Sequence, residues 1–168
     1  NISGAGSSGF VCTPTPGPTT EAPISCTGGQ ITASGTLTVV ATTDTGVSSQ
    51  STQNYVIDTV VPTTTIARSA GQASATNVDS AAFTIVFSKP MNASTVSATD
   101  ITLSGTTGTV TTLTQIDTQT WEAIVTGMTS GDVAVVTVAA GAATDLAGNS
   151  NTASTGVASV RYDTTPPV

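Results

Sequence analysis

The sequence predicts an all-β chain built from tandem β-sandwiches, one complete and one partial. β-branched residues, which suit a pleated and half-buried surface, recur in short runs. Turn residues separate these runs at spacings of about 8–12 residues, which is typical of a β-sandwich. In addition, matching segments around Asp58 and Asp163 lie 105 residues apart, and this spacing suits a repeat of one sandwich domain.

The predicted strands alternate apolar and polar residues with a period of two. In the run at 82–87, Phe83, Ile85 and Phe87 fall on one face and are predicted to enter a core. The other predicted strands, in chain order, are 36–41, 53–57, 100–104, 109–114, 120–126, 132–138 and 157–162. Their many threonines are expected on the solvated face of each sheet. One short helical stretch is expected at 93–98.

The repeat defines the predicted domain boundaries. Both matching segments run into prolines, which end the preceding strand and stiffen the link. Residues 59–163 are therefore expected to form one complete sandwich, and residues 164–168 a linker to a following domain. Residues 1–58 match only the later part of a repeat and hold too few strands to close a sandwich. Either the early strands of that domain lie outside this sequence, or a neighbouring subunit supplies them by strand exchange.

Composition restricts the chemistry that is available. The 168 residues include 10 acidic and 3 basic residues, no histidine, and a net charge of −7. The chain therefore has no imidazole base or metal ligand, and three basic residues cannot neutralise a nucleic-acid backbone. No apolar run approaches the ~20 residues of a membrane span. The remaining carboxylates, hydroxyls and carbonyls suit structural roles and hard cations better than catalysis.

The two cysteines, Cys12 and Cys26, enclose a proline-rich loop. Two cysteines in a chain with a secreted character most simply pair with each other. A disulfide that closes a loop of ~15 residues stabilises a fold by about 3 kcal/mol in the chain-entropy model. A metal site would need more soft ligands and a catalytic thiol would need a histidine, so a Cys12–Cys26 disulfide is expected.

The second part of the chain resembles the bacterial Ig-like domains that occur in tandem in large surface adhesins and other extracellular repeat proteins. The matching segments are residues 83–91, 125–133, 138–149 and 162–167. Residues 140–149, Ala-Gly-Ala-Ala-Thr-Asp-Leu-Ala-Gly-Asn, are the most specific of them. Residues 35–62 are similar to a related subtype but depart from its pattern at 45–47.

The resemblance implies that the fold is all-β with tandem immunoglobulin-like β-sandwiches, one complete and one partial or completed by strand exchange. It also implies an extracellular, non-enzymatic protein with one of two functions. The first is a stiff spacer or fibre-forming segment of a bacterial surface adhesin or filament. Its partners would be neighbouring repeats of the same chain, or adjacent identical subunits joined by strand exchange. The alternative is an adhesive module for carbohydrate or for a protein of a host or cell surface. Such a module needs exposed aromatic residues, whereas Trp121 and most other aromatics fall at predicted core positions.

Relatives in surface adhesins carry calcium at domain junctions, which marks three candidate ligands here. These are Asp58 and Asp163 first, followed by Asp79. Calcium takes 6–8 oxygen ligands from carboxylates, carbonyls and amides. The alternative is that these aspartates cap turns through their own backbone. Lys89, the single lysine, lies at a predicted strand end and is expected to be solvated.

Overall fold

The computed structural model describes residues 57–166 together with the backbone of three earlier strands. The chain divides into two units, Asn1–Asp58 and Thr59–Val168. In the first unit, β1 (Ile2–Ala5), β2 (Gly35–Thr43) and β3 (Gly46–Tyr55) form an antiparallel sheet in that order. Cys12 and Cys26 lie outside the described residues, and their disulfide stays a prediction.

The second unit is a sandwich of two four-stranded sheets. One sheet has the order β4-β6-β9-β8 and the other the order β5-β11-β10-β7. The strands are β4 (Thr64–Arg68), β5 (Ala75–Thr76), β6 (Ser80–Phe87), β7 (Ile101–Ser104), β8 (Thr109–Gln115), β9 (Thr120–Thr126), β10 (Val133–Val138) and β11 (Ala158–Tyr162). Every pairing in these sheets is antiparallel except that of β5 with β11.

The core lies between the two sheets and follows the alternation of the sequence. Phe83, Ile85 and Phe87 are all buried on the inner face of β6, as predicted. Trp121 of β9 is also buried, and its ring meets that of Phe87 edge to face, with centroids 5.4 Å apart. The prediction of a core tryptophan is therefore confirmed. Val136 and the other inward residues of β10 and β11 close the core from the second sheet.

Two strands of this unit were not predicted from the sequence. The two-residue β5 is too short to show a period. In β4 the first inward position is held by Thr64, which is completely buried, so the strand lacks the apolar alternation that marks the others. The helical stretch expected at 93–98 is instead two short 3₁₀ turns, Ala93–Thr95 and Ala98–Asp100.

The chain enters and leaves the sandwich at opposite ends. Thr64, at the start of β4, pairs with Phe87 at the end of β6. Arg161, near the end of β11, pairs with Val133 at the start of β10. The loop before Val133 begins after Thr126, and Thr126 pairs with Ser80 at the start of β6. The end of β11 therefore lies at the same end of the sandwich as the start of β6, opposite to Thr64. We call the end that holds residues 58–63, 88–91 and 139–152 the amino pole. The opposite end, with residues 77–79, 105–108, 127–132 and 163–165, is the carboxyl pole.

Candidate functional site

Lys89 forms the centre of a buried polar cluster at the amino pole. Its Nζ donates to Oδ2 of Asp145 at 2.6 Å and to the carbonyl oxygen of Val60 at 2.7 Å. The Lys89 side chain is only 19% exposed and that of Asp145 only 2%. The expectation of a solvated lysine is therefore wrong. The carboxylate that binds the lysine lies 56 residues further along the chain, a distance at which local sequence gives no signal.

Asp145 also organises the loop in which it lies. Its Oδ1 accepts from the backbone N–H groups of Ala147 and Asn149, and its Oδ2 accepts from the side-chain amide of Asn149 at 3.0 Å. The Lys89 ammonium and the Asn149 amide hold the pKa of Asp145 well below its usual range. Asp145 is therefore ionised at every physiological pH and binds both its own loop and the end of β6.

Asn151 fastens the same loop to the interior. Its Oδ1 accepts from the buried backbone N–H of Ala143 at 2.8 Å. Its Nδ2 donates to the carbonyl oxygens of Ala139 and Thr152, at 2.9 and 2.7 Å, and lies 3.3 Å from Oγ1 of Thr64. Only 3% of Asn151 is exposed. The Asn151 amide thus supplies hydrogen-bond partners to backbone groups of the loop and also contacts Thr64 in β4, the first strand of the sandwich.

The leading segment of the domain, residues 60–65, runs parallel to the segment that precedes β11. The backbone N–H of Thr152 donates to the carbonyl of Pro62 at 2.8 Å, and that of Thr155 to the carbonyl of Thr64 at 2.9 Å. Thr65 and Thr155 form a parallel bridge. The start of the domain is thereby bonded directly to residues about 90 positions later.

A second polar cluster surrounds Asp132 at the carboxyl pole. Oδ2 of Asp132 accepts from the backbone N–H groups of Thr107 and Thr129, at 2.8 and 2.9 Å, and from the hydroxyls of Thr106 and Thr107. The backbone donors of Thr107 and Thr129 are the main reason that the pKa of Asp132 is lowered to about 2. The carboxylate binds the loop between β7 and β8 to the turn that precedes β10.

The three predicted calcium ligands do not meet at one place. Asp163 and Asp79 belong to the carboxyl pole, whereas Asp58 belongs to the amino pole. Oδ1 of Asp163 accepts from the backbone N–H of Thr165 at 2.9 Å, so this aspartate caps its own turn. Hydrogen bonds from Thr165 and the charge of Arg161 lower its pKa. Within the described part of the chain, no three acidic, cysteine or histidine side chains are grouped to hold a metal ion. Calcium binding stays a prediction.

Comparison with known proteins identifies the family. The model of the family described as "Bacterial Ig-like domain" matches residues 58–162, which is more than half of the chain. This chain belongs to the bacterial Ig-like domain family. Its structure is similar to that of the N-terminal part of the bacterial S-layer protein SbsC, with 15% sequence identity and a TM-score of 0.42. The similar region covers 65% of this chain and 25% of the SbsC chain. No curated protein matches the sequence.

The polar clusters of this Ig-like domain form hydrogen bonds within the domain. The carboxylates of Asp132 and Asp145 accept from backbone and side-chain donors of their own domain, and none of the buried side-chain polar atoms in the described region lacks a hydrogen-bond partner. No helix among the described residues is long and apolar enough to cross a membrane. The chemistry of both poles is that of fastening loops and chain ends to a rigid sandwich.

Sequence reasoning missed Lys89, Asp145 and Asn151 as a group. A signal was present, because Asp145 and Asn151 both belong to or adjoin the Ala-Thr-Asp-Leu-Ala-Gly-Asn segment of the Ig-like pattern. Taken by itself, that segment indicates a turn. Polar residues and glycines in so short a stretch predict a loop with internal hydrogen bonds. They do not predict that Lys89 binds the Asp145 carboxylate of this loop.

Proposed function

We propose that the chain is a structural spacer of a bacterial cell-surface protein, in which Ig-like domains follow one another along an extracellular polypeptide. The main support is geometric, since the chain enters this sandwich at the amino pole and leaves it at the carboxyl pole. Each such domain adds its own length to the distance spanned by the polypeptide. Membership of the bacterial Ig-like domain family supports the same role, since repeated domains of one kind can follow one another along a chain.

The polar clusters support a stiff spacer rather than a flexible string of domains. Lys89 binds the carbonyl of Val60 in the leading segment, and Thr164 donates its hydroxyl to Oγ of Ser130 at 2.8 Å beyond the last strand. The segments by which the chain enters and leaves this domain are therefore both bonded to the sandwich. Bonded ends restrict the angles at which the neighbouring parts of the chain leave the domain, and a restricted angle makes a string of domains stiffer.

An adhesive function has less support from this domain. Exposed aromatic side chains are the usual anchors of a binding surface. Among residues 57–166, Phe83, Phe87 and Trp121 are buried and Tyr162 is half-buried. Of the large apolar side chains that are exposed, Ile116, Leu146 and Val157 belong to separate loops and turns. No feature of the described region favours adhesion over spacing.

Surface labelling of intact cells tests the proposal. An antibody raised against the purified chain should label unbroken bacteria that express the full protein, and added protease should remove that label. A cytoplasmic protein followed in the same cells serves as the control and should stay protected. Labelling that appears only after lysis would contradict a surface role. Surface labelling by itself leaves adhesion open, so binding of the purified chain to host cells is measured in parallel and is expected to be absent.

A further inference from the structure

We propose that the free edge of β8 is a latent pairing surface for a second copy of this chain, and that one extra residue, Thr111, keeps this surface closed. The inference goes beyond the proposed spacer function, because it concerns how copies that lie side by side stay separate. It rests on three observations. β8 ends its sheet without a further partner among the described strands, its sequence carries no charge, and a β-bulge at Thr111 interrupts its geometry.

β8 is the longest edge strand of the described sandwich. The other edge strand of its sheet, β4, is bridged to the segment before β11, and the edge strands of the second sheet, β5 and β7, have only two and four residues. Just after β8, the backbone N–H of Ile116 donates to Thr120, which begins β9. The backbone groups of Leu113 and Gln115, at alternate positions, therefore point away from β9. Outward N–H and C=O groups of this kind are a template for another strand.

The sequence of β8 favours pairing with a second strand. Residues 109–114, Thr-Val-Thr-Thr-Leu-Thr, are five β-branched residues and one leucine. Six residues with high β propensity, no charge and no proline are typical of segments that pair edge to edge. Because an isologous contact brings the same surface of two copies together, an antiparallel pair of β8 strands can form about a two-fold axis. The partner that fits this edge is therefore the same edge of another copy.

The distribution of charge favours the same partner. Copies of a chain with a net charge of −7 repel one another, and residues 101–116 contain no charged residue. Asp100 and Asp117 flank this segment in the sequence, and Glu122 belongs to β9, one strand further in, where it pairs with Thr114. None of these carboxylates belongs to β8 itself. Two copies that approach through β8 therefore meet less repulsion than copies that approach through the acidic parts of the surface.

A β-bulge interrupts β8 at Thr111. The pairing of β8 with β9 shifts between Val110 and Thr112, which leaves Thr111 as an extra residue. Val110 and Leu113 both pack against the core although they lie three positions apart, and the two threonines between them are exposed. Without the extra residue, the strand would alternate regularly between core and solvent. A bulge bends a strand and increases its twist, so the edge of β8 does not lie flat along the edge of another copy.

Deletion of Thr111 from the full chain tests the inference. The deletion keeps Val110 and Leu113 on the core side, so the variant should fold, which the fluorescence of the buried Trp121 checks. In sedimentation equilibrium, it should form a dimer with a Kd at least ten-fold lower than that of the unsubstituted chain. The matched control is Thr111→Val, which keeps the extra residue and removes only a hydroxyl that lies 3.3 Å from that of Thr126. This variant should associate no more tightly than the unsubstituted chain.

Amide hydrogen exchange identifies the surface through which the deletion variant associates. In the dimer, the backbone N–H groups of Leu113 and Gln115 should exchange at least ten-fold more slowly than in diluted monomer. Those of Thr112 and Thr114, which face β9, should change little. Adding Thr112→Lys to the deletion should restore the monomer, because a lysine on an edge strand opposes pairing.

Three results would overturn the proposal. The deletion variant and the unsubstituted chain could associate equally, or the deletion variant could associate without protection of Leu113 and Gln115. A deletion variant that does not fold would count equally against it, since Thr111 would then be needed by the core. All these measurements use purified chains, so their outcome is independent of the cell-labelling experiment that tests the spacer function.

Discussion

Replacing Asn151 by alanine should destabilise the sandwich strongly although the change is small and uncharged. The substitution leaves the buried backbone N–H of Ala143 without an acceptor. A buried donor without a partner costs about 1–3 kcal/mol, and each lost hydrogen bond of Nδ2 contributes a net ~0.5–1.5 kcal/mol. Ala139 is exposed and Thr152 half-buried, so water replaces part of what Nδ2 supplied to them. The free energy of unfolding is therefore expected to fall by about 2–4 kcal/mol in total.

Urea unfolding followed by tryptophan fluorescence measures this loss. Trp121 is the one tryptophan of the chain and lies in the core of this domain, so its signal reports the unfolding of this sandwich alone. The matched control is Asn77→Ala, because Asn77 is exposed, and its effect should stay within about 0.5 kcal/mol. Asn151→Ala should shift the urea midpoint at an unchanged slope. If the two variants unfold at the same midpoint, the Asn151 amide does not stabilise the domain by fastening its loop.

Two further predictions concern turn glycines and the carboxylate of the carboxyl pole. Gly105→Ala and Gly141→Ala both place alanine at positive φ, 69° and 76°, which costs about 1–2 kcal/mol in each. Only at Gly105 would the new Cβ lie 2.3 Å from the carbonyl oxygen of Val133, and this clash adds about 1–3 kcal/mol of overpacking. Gly105→Ala should therefore melt at a lower temperature than Gly141→Ala. Equal melting temperatures of the two variants would contradict this reasoning. The pKa of Asp132 is lowered from 3.8 to about 2, so its ionised form stabilises the folded state above the unfolded pKa, and that stability is lost as the pH falls from about 4 to about 2. Urea midpoints measured over this range should fall less steeply in Asp132→Asn, and identical slopes would refute the assignment.

The strands whose inner faces are apolar could be predicted from the sequence. The run of Phe83, Ile85 and Phe87 identified β6 and its buried face, and the boundaries of β8 and β9 were close to those observed. The alternation works there because burial alone decides which side chains face inward. The family resemblance was confirmed as well, and it was carried by loop segments as much as by strands.

The features that escaped prediction depend on polar partners far away in the sequence. Thr64 occupies a core position because the Asn151 amide and the carbonyl of Thr152 form hydrogen bonds with its hydroxyl. The residues near Thr64 in the sequence do not predict these partners. The same holds for Lys89, whose carboxylate partner lies in a loop after β10. Apolar residues are buried beside any apolar neighbour, whereas a buried hydroxyl or ammonium needs one particular acceptor in one particular direction. Periodicity therefore predicts the apolar core and does not predict the two poles.

The first two strands of the domain, β4 and β5, belong to different sheets, and this affects how the domain folds. β4 completes one sheet and β5 the other, yet the parallel partners of both lie in the last residues of the domain, from Thr152 to Asp163. Closing loops of that length costs conformational entropy before any contact rewards it, which slows the search for the native pairing. During synthesis, the early strands must wait until the final strand has left the ribosome. A nascent domain of this kind therefore exposes its apolar faces for most of its own translation.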